Sequence, residues 1–464
     1  MSRKTYKIVC VVGLLLITQW VLAQRDTVSL NFGWQFQLND SVFKESVQTV
    51  NLPHDFQIGQ PWIAPDKNER PDHSDMAANV RSRLSSRGFK EMGVGWYRKM
   101  LRAEKAWQGQ RIVLDFGGIM LVGDVYLNGK RIGGTEYGYV GFELDITHLI
   151  DWDAENEIVV RADTRNPENS RWYTGGGLIR GVNLITYPKD SYFVRHPLHI
   201  TTQLDGKVAI ASEVYMDDKQ RKEAVFCARI FDAQGNEVAA GRTCYPYDRR
   251  RKLRIYQLDT LQVQHPTLWS CEQPYLYTAE VTLYGNDGQV LDKVTERFGI
   301  RSIAYDPSYG FKLNGKKVLL KGIANHHDLG ALGAAAYPRG IEKRIKLLKD
   351  FGFNHIRASH NPYSEEFYHL CDEYGILVVD ELYDKWLTRY AGGRTDWMNL
   401  WQYDVVEWVK AHRNHPSVIM WSLGNELQTY ADLPFNDYGV TPYRLQRELL
   451  HTYDTSRPVT VAMH

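Results

Sequence analysis

The stretch GFNHIRASHNPYSEEFYHLCDEYGILVVDE, residues 352–381, decides how the last third of this chain folds. It opens with a short apolar strand at His355-Ile356 and closes with another at Ile376-Leu377-Val378-Val379, and between them Phe367, Leu370, Cys371 and Tyr374 recur at helical spacing. A strand, a helix and a second strand in so short a span make a crossover unit, which places the two strands parallel in one sheet. The rhythm continues outward on both sides. Val318-Leu319-Leu320 precedes it, and Val418-Ile419-Met420-Trp421 and Val459-Thr460-Val461 follow as further strands. Ile341, Ile345 and Leu348, then Trp401, Val405 and Trp408, then Leu445 and Leu449 mark the intervening helices. The expectation is five parallel strands with helices outside them.

Upstream the period changes from helical to alternating. Residues 24–195 carry short runs such as Arg111–Phe116 and Glu157–Arg161, and Asn128-Gly129 between two of them is a strong hairpin signal. A jelly-roll β-sandwich is the expected class, with a long loop from about 60 to 90. Residues 196–303 hold strands near 208–216, 223–231 and 277–285, separated by Gln234-Gly235-Asn236 and Gly285-Asn286-Asp287-Gly288; an immunoglobulin-like β-sandwich acting as a spacer fits them.

Charge excludes some functions. With 56 basic and 55 acidic residues the chain has no field to draw in nucleic acid or an anionic membrane, so partners must be read from sites. The 13 Trp and 28 Tyr suit a protein that stacks on sugar rings, and equally a β-rich core. Arg3, Lys4 and Lys7 before the apolar run Ile8–Ala23, closed by Val21-Leu22-Ala23, read as a signal peptide over residues 1–23, hence a secreted or periplasmic protein; an uncleaved anchor is the alternative. No other membrane contact is expected, and the oligomeric state is left open. Cys227, Cys244, Cys271 and Cys371 show no metal-ligand spacing and are expected as buried thiols; a Cys227–Cys244 bridge across the Ala233–Asn236 turn is the lesser reading.

In a parallel βα series the strands' carboxyl ends share one face, where active sites are built. That face collects His326, His327 and Asp328, then Arg357, Ser359, His360 and Asn361, then Asp380 and Glu381, then Asn425 and Glu426. Together they describe a polar pocket able to bind a polyol, although singly Asp380-Glu381 could instead hold a loop or pair with Arg357. Glu426 ends a strongly apolar strand, where an unpaired acid is penalised by desolvation, so a raised pKa and a role as proton donor are expected of it.

Three runs resemble glycoside hydrolase family 2: Leu320–Asp328, Gly352–Pro362 continuing to Cys371-Asp372-Glu373-Tyr374-Gly375, and Arg413–Ser417 leading to Trp421–Glu426. Gly95–Arg98 and Arg171–Arg180 are similar to segments of that family's sugar-binding jelly roll, and Phe298–Arg301 to its sandwich-to-barrel junction. The resemblance covers nearly the whole mature chain. It implies a retaining β-glycosidase of β-galactosidase type acting on an oligosaccharide or other glycoside, with residues 304–464 as the first five strands of a (β/α)8 TIM barrel. Glu426 takes the general acid/base role and Asn425 the contact to the sugar 2-hydroxyl. His327 and His360 match substrate-contacting histidines, Arg357 and Asp380 match framework positions at the pocket floor, and Asp163 resembles a jelly-roll residue that reaches the sugar's hydroxyls. β-Glucuronidase and β-mannosidase share the architecture, and Gly424-Asn425-Glu426 favours the galactosidase branch. The rival of another class is a carbohydrate-binding protein without turnover.

Two departures qualify this. A magnesium site of some β-galactosidases needs a Glu four residues beyond the position of Glu381; Lys385 stands there, so no metal or other cofactor is expected. A retaining enzyme also needs a nucleophilic carboxylate ~5–5.5 Å from the acid/base residue. After Glu426 only Asp432, Asp437, Glu448 and Asp454 remain, and none ends a strand. An eight-stranded barrel takes about 250 residues, and residues 310–464 hold five strands. The expectation is therefore a shortened barrel, without its nucleophile and inactive as given.

Overall fold

The computed structural model describes residues 25–41, 43, 47–63, 88–165, 172–218, 220–386, 394–427, 435 and 437–462. The signal segment at 1–23 and most of the loop expected at 60–90 lie outside the described residues. Two antiparallel sheets make the first domain. In one, Asp26–Ser29, Val182–Tyr187, Arg111–Phe116 and Phe142–Asp145 lie side by side in that order. The other runs Gln48–Val50, Trp34–Leu38, Val94–Arg102, Glu155–Asp163, Val122–Leu127, Lys130–Thr135. Alternation explains the pairing: in Glu155–Asp163, residues Asn156, Ile158, Val160 and Ala162 are buried while their neighbours are not. The hairpin read at Asn128-Gly129 is present, both residues at positive φ (50° and 78°), as a tight two-residue turn requires.

The second domain pairs Ser191–Thr202, Lys207–Met216 and Leu253–Gln257 in one sheet and Glu237–Pro246, Glu223–Phe231, Tyr277–Tyr284 and Val290–Phe298 in the other. Strand Ser191–Thr202 runs through the expected 195/196 boundary. The cysteines need correction. Cys271 and Cys371 are buried, but Cys227 is half-buried and Cys244 exposed, and all four are free thiols. Cys227 faces Arg242 and Cys244 faces Val225, so the two are offset along the ladder.

A three-stranded antiparallel sheet, Ile303–Asp306, Gly310–Leu313 and Lys316–Lys317, intervenes before the barrel domain. The barrel strands are β1 (Gly322–Asn325), β2 (His355–Ala358), β3 (Leu377–Glu381), β4 (Val418–Ser422) and β5 (Val459–Thr460), adjacent in chain order and all parallel. Helices α1 (Pro338–Asp350), α2 (Glu365–Tyr374), α3 (Trp401–His412) and α4 (Val440–His451) connect them. Pro338 starts α1, where its missing N–H is not needed, and Gly375 at φ 67° ends α2 by donating to the Cys371 carbonyl. The first strand expected at 318–320 lies instead at 322–325. Val318 and Leu320 pack with Trp269, Phe311, Leu377 and Ile419 while Leu319 is exposed, so this apolar run covers the start of β3 and β4. Among the described residues no helix is long and apolar enough to cross a membrane.

Both sandwiches are fastened to the parallel sheet. Asp55 of the jelly roll, buried, accepts from the Ala334 N–H of the barrel domain (2.8 Å), from Gly176 N–H (3.0 Å) and from the Tyr173 hydroxyl (2.8 Å). Gly175, at φ 70°, permits this approach: a Cβ there would stand 2.5 Å from the Ala334 Cβ and 2.6 Å from Asp55 Oδ2. At the second domain's exit Arg301 donates to the carbonyls of Pro416 (2.6 Å) and Val418 (2.7 Å), where β4 begins.

Asp454 secures the other side of β4. It is 1% exposed and accepts from Trp421 Nε1 and Arg457 Nη1, both at 2.8 Å. Burial opposes its ionisation, but the Arg457 charge and the Ser456 and Trp421 donors outweigh it and hold the carboxyl well below the usual range. A depressed folded-state pKa gives stability that is present above the unfolded value of ~4 and lost as pH falls through the folded one. Asp454→Asn should therefore destabilise the fold by about 3–5 kcal/mol at pH 7, with the deficit shrinking below about pH 4. Denaturant titrations followed by tryptophan fluorescence across that pH range check both the size and the trend.

Candidate active site

The carboxyl ends of β2, β3 and β4 meet on a single carboxylate. Glu381, with no exposed surface, accepts from Arg357 Nη2 at 2.7 Å, from His360 Nδ1 at 2.5 Å and from Ser422 Oγ at 2.6 Å. A buried carboxylate requires such donors, because desolvation without pairing would neutralise it. The same Arg357 nitrogen donates to Asn425 Oδ1 at 2.8 Å, and Asn425 Nδ2 donates to Asp384 Oδ1 at 3.0 Å. Asn425 is also held through its backbone, its N–H donating to the Asp384 carbonyl (2.9 Å) and its carbonyl accepting from Lys385 Nζ (2.8 Å). The amide side chain is thus fixed before any ligand arrives, with one amide hydrogen and one oxygen lone pair still to offer.

Glu426 follows on the turn, at φ 43°, in the left-handed region that non-glycine residues seldom occupy. The turn lifts its side chain out of the strand's line, leaving it 46% exposed with Oε2 3.7 Å from the Lys385 ammonium. This corrects the expectation of a desolvated carboxyl: the apolar strand ends at Ser422, and Glu426 stands clear of it.

The wall of the site comes from the jelly roll. Trp172, buried, stacks on His326 with ring centroids 4.9 Å apart and stands edge-on to His360 at 5.6 Å. His326 Nδ1 contacts the Ser359 carbonyl at 3.0 Å, and burial, with His360 beside it, lowers its pKa.

The structure brings together Arg357, His360, Asn425 and Glu426, and turns His327 and Asp380 elsewhere. His327 lies between Tyr139 and Tyr363, centroids 5.2 and 6.3 Å away, where burial first and Arg180 second push its pKa down to about 3. Its neighbour His326 is the histidine that faces His360. Asp380 points from β3 toward the helices, accepting from the Tyr368 hydroxyl (2.6 Å), Trp408 Nε1 (2.8 Å) and His412 Nδ1 (2.7 Å), so it braces α2 and α3 rather than the pocket floor. Successive strand residues face opposite ways, and it is Glu381 that turns inward. Asp163 lines a cavity of about 240 Å³ with Val122, Arg165 and Arg394. Although burial opposes its ionisation, Arg165 and Arg161 hold its pKa at about 2. Sequence reasoning missed Trp172 and Asp384 as parts of the site and read Lys385 only as the residue that excludes a metal, since Trp172 meets His326, and Asp384 and Lys385 meet Asn425, on other elements.

These residues do not fit a magnesium ion. Lys385 is 4% exposed and its ammonium already occupies the space between Asp384 Oδ1 (3.1 Å), the Asn425 carbonyl and Glu426.

A jelly roll, an immunoglobulin-like sandwich and a parallel βα domain with an acid on the turn after its fourth strand define a multidomain glycosidase architecture. The glycosyl hydrolase family 2 TIM barrel domain matches residues 308–464, the family 2 domain 193–301, and the family 2 galactose-binding domain-like module 90–177. The chain belongs to glycoside hydrolase family 2. It is 33% identical over 433 residues to the β-galactosidase BoGH2A of Bacteroides ovatus, covering 89% of this chain and 48% of that protein. To a β-glucuronidase of Bacteroides fragilis it is 28% identical, covering 97% of this chain and 62% of the relative. The crystal structure of a family 2 member from Bacteroides cellulosilyticus superposes with a TM-score of 0.81 at 34% identity, over 94% of this chain and 57% of that one. The chain thus spans roughly half the length of the curated relatives it matches.

A protonated Lys385 offers no lone pair to a metal. Adding a chelator, or magnesium, should leave the affinity for a galactose-configured lactam unchanged in isothermal titration calorimetry. A magnesium-dependent gain would place a cation where the ammonium sits.

Proposed function

We propose that the carboxyl-terminal edge of the parallel sheet holds a terminal β-galactoside and that Glu426 is the general acid/base of its hydrolysis with retention. The observation that carries this reading is the clamping of Asn425 between Arg357 and Asp384, which fixes the residue beside the half-exposed Glu426. The likeness to a β-galactosidase adds support, as does Gly424-Asn425-Glu426.

In this mechanism a nucleophilic carboxylate attacks the anomeric carbon as the bond to the aglycone oxygen breaks. Glu426 gives its proton to that oxygen, so the aglycone leaves as an alcohol, and then takes a proton from the water that opens the glycosyl ester. Asn425 holds the 2-hydroxyl, and His360 and Trp172 bound the ring. Among the described residues Glu381 is committed to Arg357, His360 and Ser422, and Asp384 to Lys385 and Asn425. Export, from the leader read at residues 1–23, belongs to the same proposal.

In any polypeptide that contains these residues and hydrolyses β-galactosides, Glu426→Gln should lower turnover of alkyl galactosides by ~10²–10⁴-fold. Aryl galactosides with good leaving groups should lose less in the glycosylation step. Unchanged alkyl turnover removes Glu426 from the mechanism. The 464-residue chain should bind a galactose-configured lactam in preference to its glucuronate counterpart. Tighter binding of the glucuronate form would move the specificity to the glucuronidase branch.

A further inference from the structure

Lys385 is the unexpected residue at the edge of this site. A lysine ammonium is strongly hydrated, and burying one is unfavourable unless its donors are satisfied and its charge is countered. Here it is 4% exposed, in the segment just after β3, and it reaches across to the turn after β4. Its nitrogen meets Asp384 Oδ1 at 3.1 Å, the Asn425 carbonyl at 2.8 Å and Glu426 Oε2 at 3.7 Å. One cation thus joins the backbone that presents Glu426 and the Glu426 carboxylate itself.

We propose that Lys385 is a positioning residue for Glu426: an internal cation that holds the Asn425-Glu426 turn in place and keeps the Glu426 carboxylate ionised between proton transfers. This rests on the acid/base reading of Glu426 and goes beyond it. An ammonium within 4 Å favours the charged form of a carboxyl, so Glu426 is set up more as the base that activates water than as a ready acid. Among the described residues, other charged and titratable groups also stand at this edge, Asp328 beside His326 among them. Asp384 meets the same ammonium from its own side and limits the field that reaches Glu426. Arg357 is paired with Glu381 and hydrogen-bonded to Asn425, His360 is hydrogen-bonded to Glu381, and burial lowers the pKa of His326. Lys385 is the cation that directly faces Glu426 among the described ion pairs. Half-exposure of Glu426 adds screening, so the effect belongs at the low end of the ~1–3 units such a neighbour produces.

The test is a carbon-13 NMR titration of the 464-residue chain labelled at the glutamate carboxyl, with the Glu426 resonance assigned by its loss in Glu426→Gln. Lys385→Met should raise the Glu426 titration midpoint by about one unit, and Lys385→Arg should restore it. Lys385→Gln, which keeps a donor for Asp384 and the Asn425 carbonyl but no charge, decides the matter if the Met variant does not fold. An unchanged midpoint in a folded Met or Gln variant, by circular dichroism, overturns the proposal. The midpoint does not depend on turnover, so this failure is distinct from failure of the acid/base assignment, which the alkyl-galactoside assay of Glu426→Gln measures.

Discussion

A carboxylate with no access to water must be paired or lose its charge, and at Glu381 pairing fixes the geometry of everything around it. Its three donors come from three places along the sheet: Arg357 in β2, His360 just beyond β2, and Ser422 at the end of β4. Each hydrogen bond constrains where its strand ends relative to β3. Arg357 then passes the constraint to Asn425, and Asn425 sets where the turn carrying Glu426 begins. The site is therefore organised from a buried charge outward, with the candidate catalytic group as its most exposed member.

The sandwiches matter to the site because they are bonded to this sheet. Asp55 binds backbone N–H groups of both the jelly roll and the barrel domain, which brings the run containing Trp172 onto His326. Arg301 ties the second domain to the loop and strand from which β4 starts. Trp269, fully buried, donates its indole N–H to the Asp372 carbonyl at the end of α2. The spacer reading of the immunoglobulin-like domain fits these contacts, since each falls on the face of the sheet away from Glu426.

Much of this was legible in the sequence because it is periodic. The parallel strands at Leu377–Glu381 and Val418–Ser422, and helices α1 to α3, carry apolar residues at the spacing their burial demands, whereas in α4 the expected Leu445 is exposed and Pro442, Gln446 and Leu450 are buried instead. Two kinds of feature were not. Val318-Leu319-Leu320 is apolar because it covers the sheet's lower end, and periodicity alone does not separate such a plug from a strand. Side-chain direction was the other. Asp380 and Glu381 are adjacent, and only the pleat tells which faces the helices and which the pocket; His326 and His327 present the same ambiguity. The part played by Lys385 could not be read from one segment either, because its partners Asn425 and Glu426 lie on another strand's turn.

The central claim is that the Glu381 carboxylate preorganises the sugar site. Replacing it by glutamine leaves a side chain of the same shape but removes the charge that holds Arg357 and leaves one acceptor oxygen for donors that now share two. Calorimetric titration of wild type and Glu381→Gln with a galactose-configured lactam measures this directly, with circular dichroism as the check on folding. The account predicts a loss of affinity of at least about 100-fold, the scale set by breaking a buried, hydrogen-bonded charge pair. Equal affinity in a folded variant would contradict it.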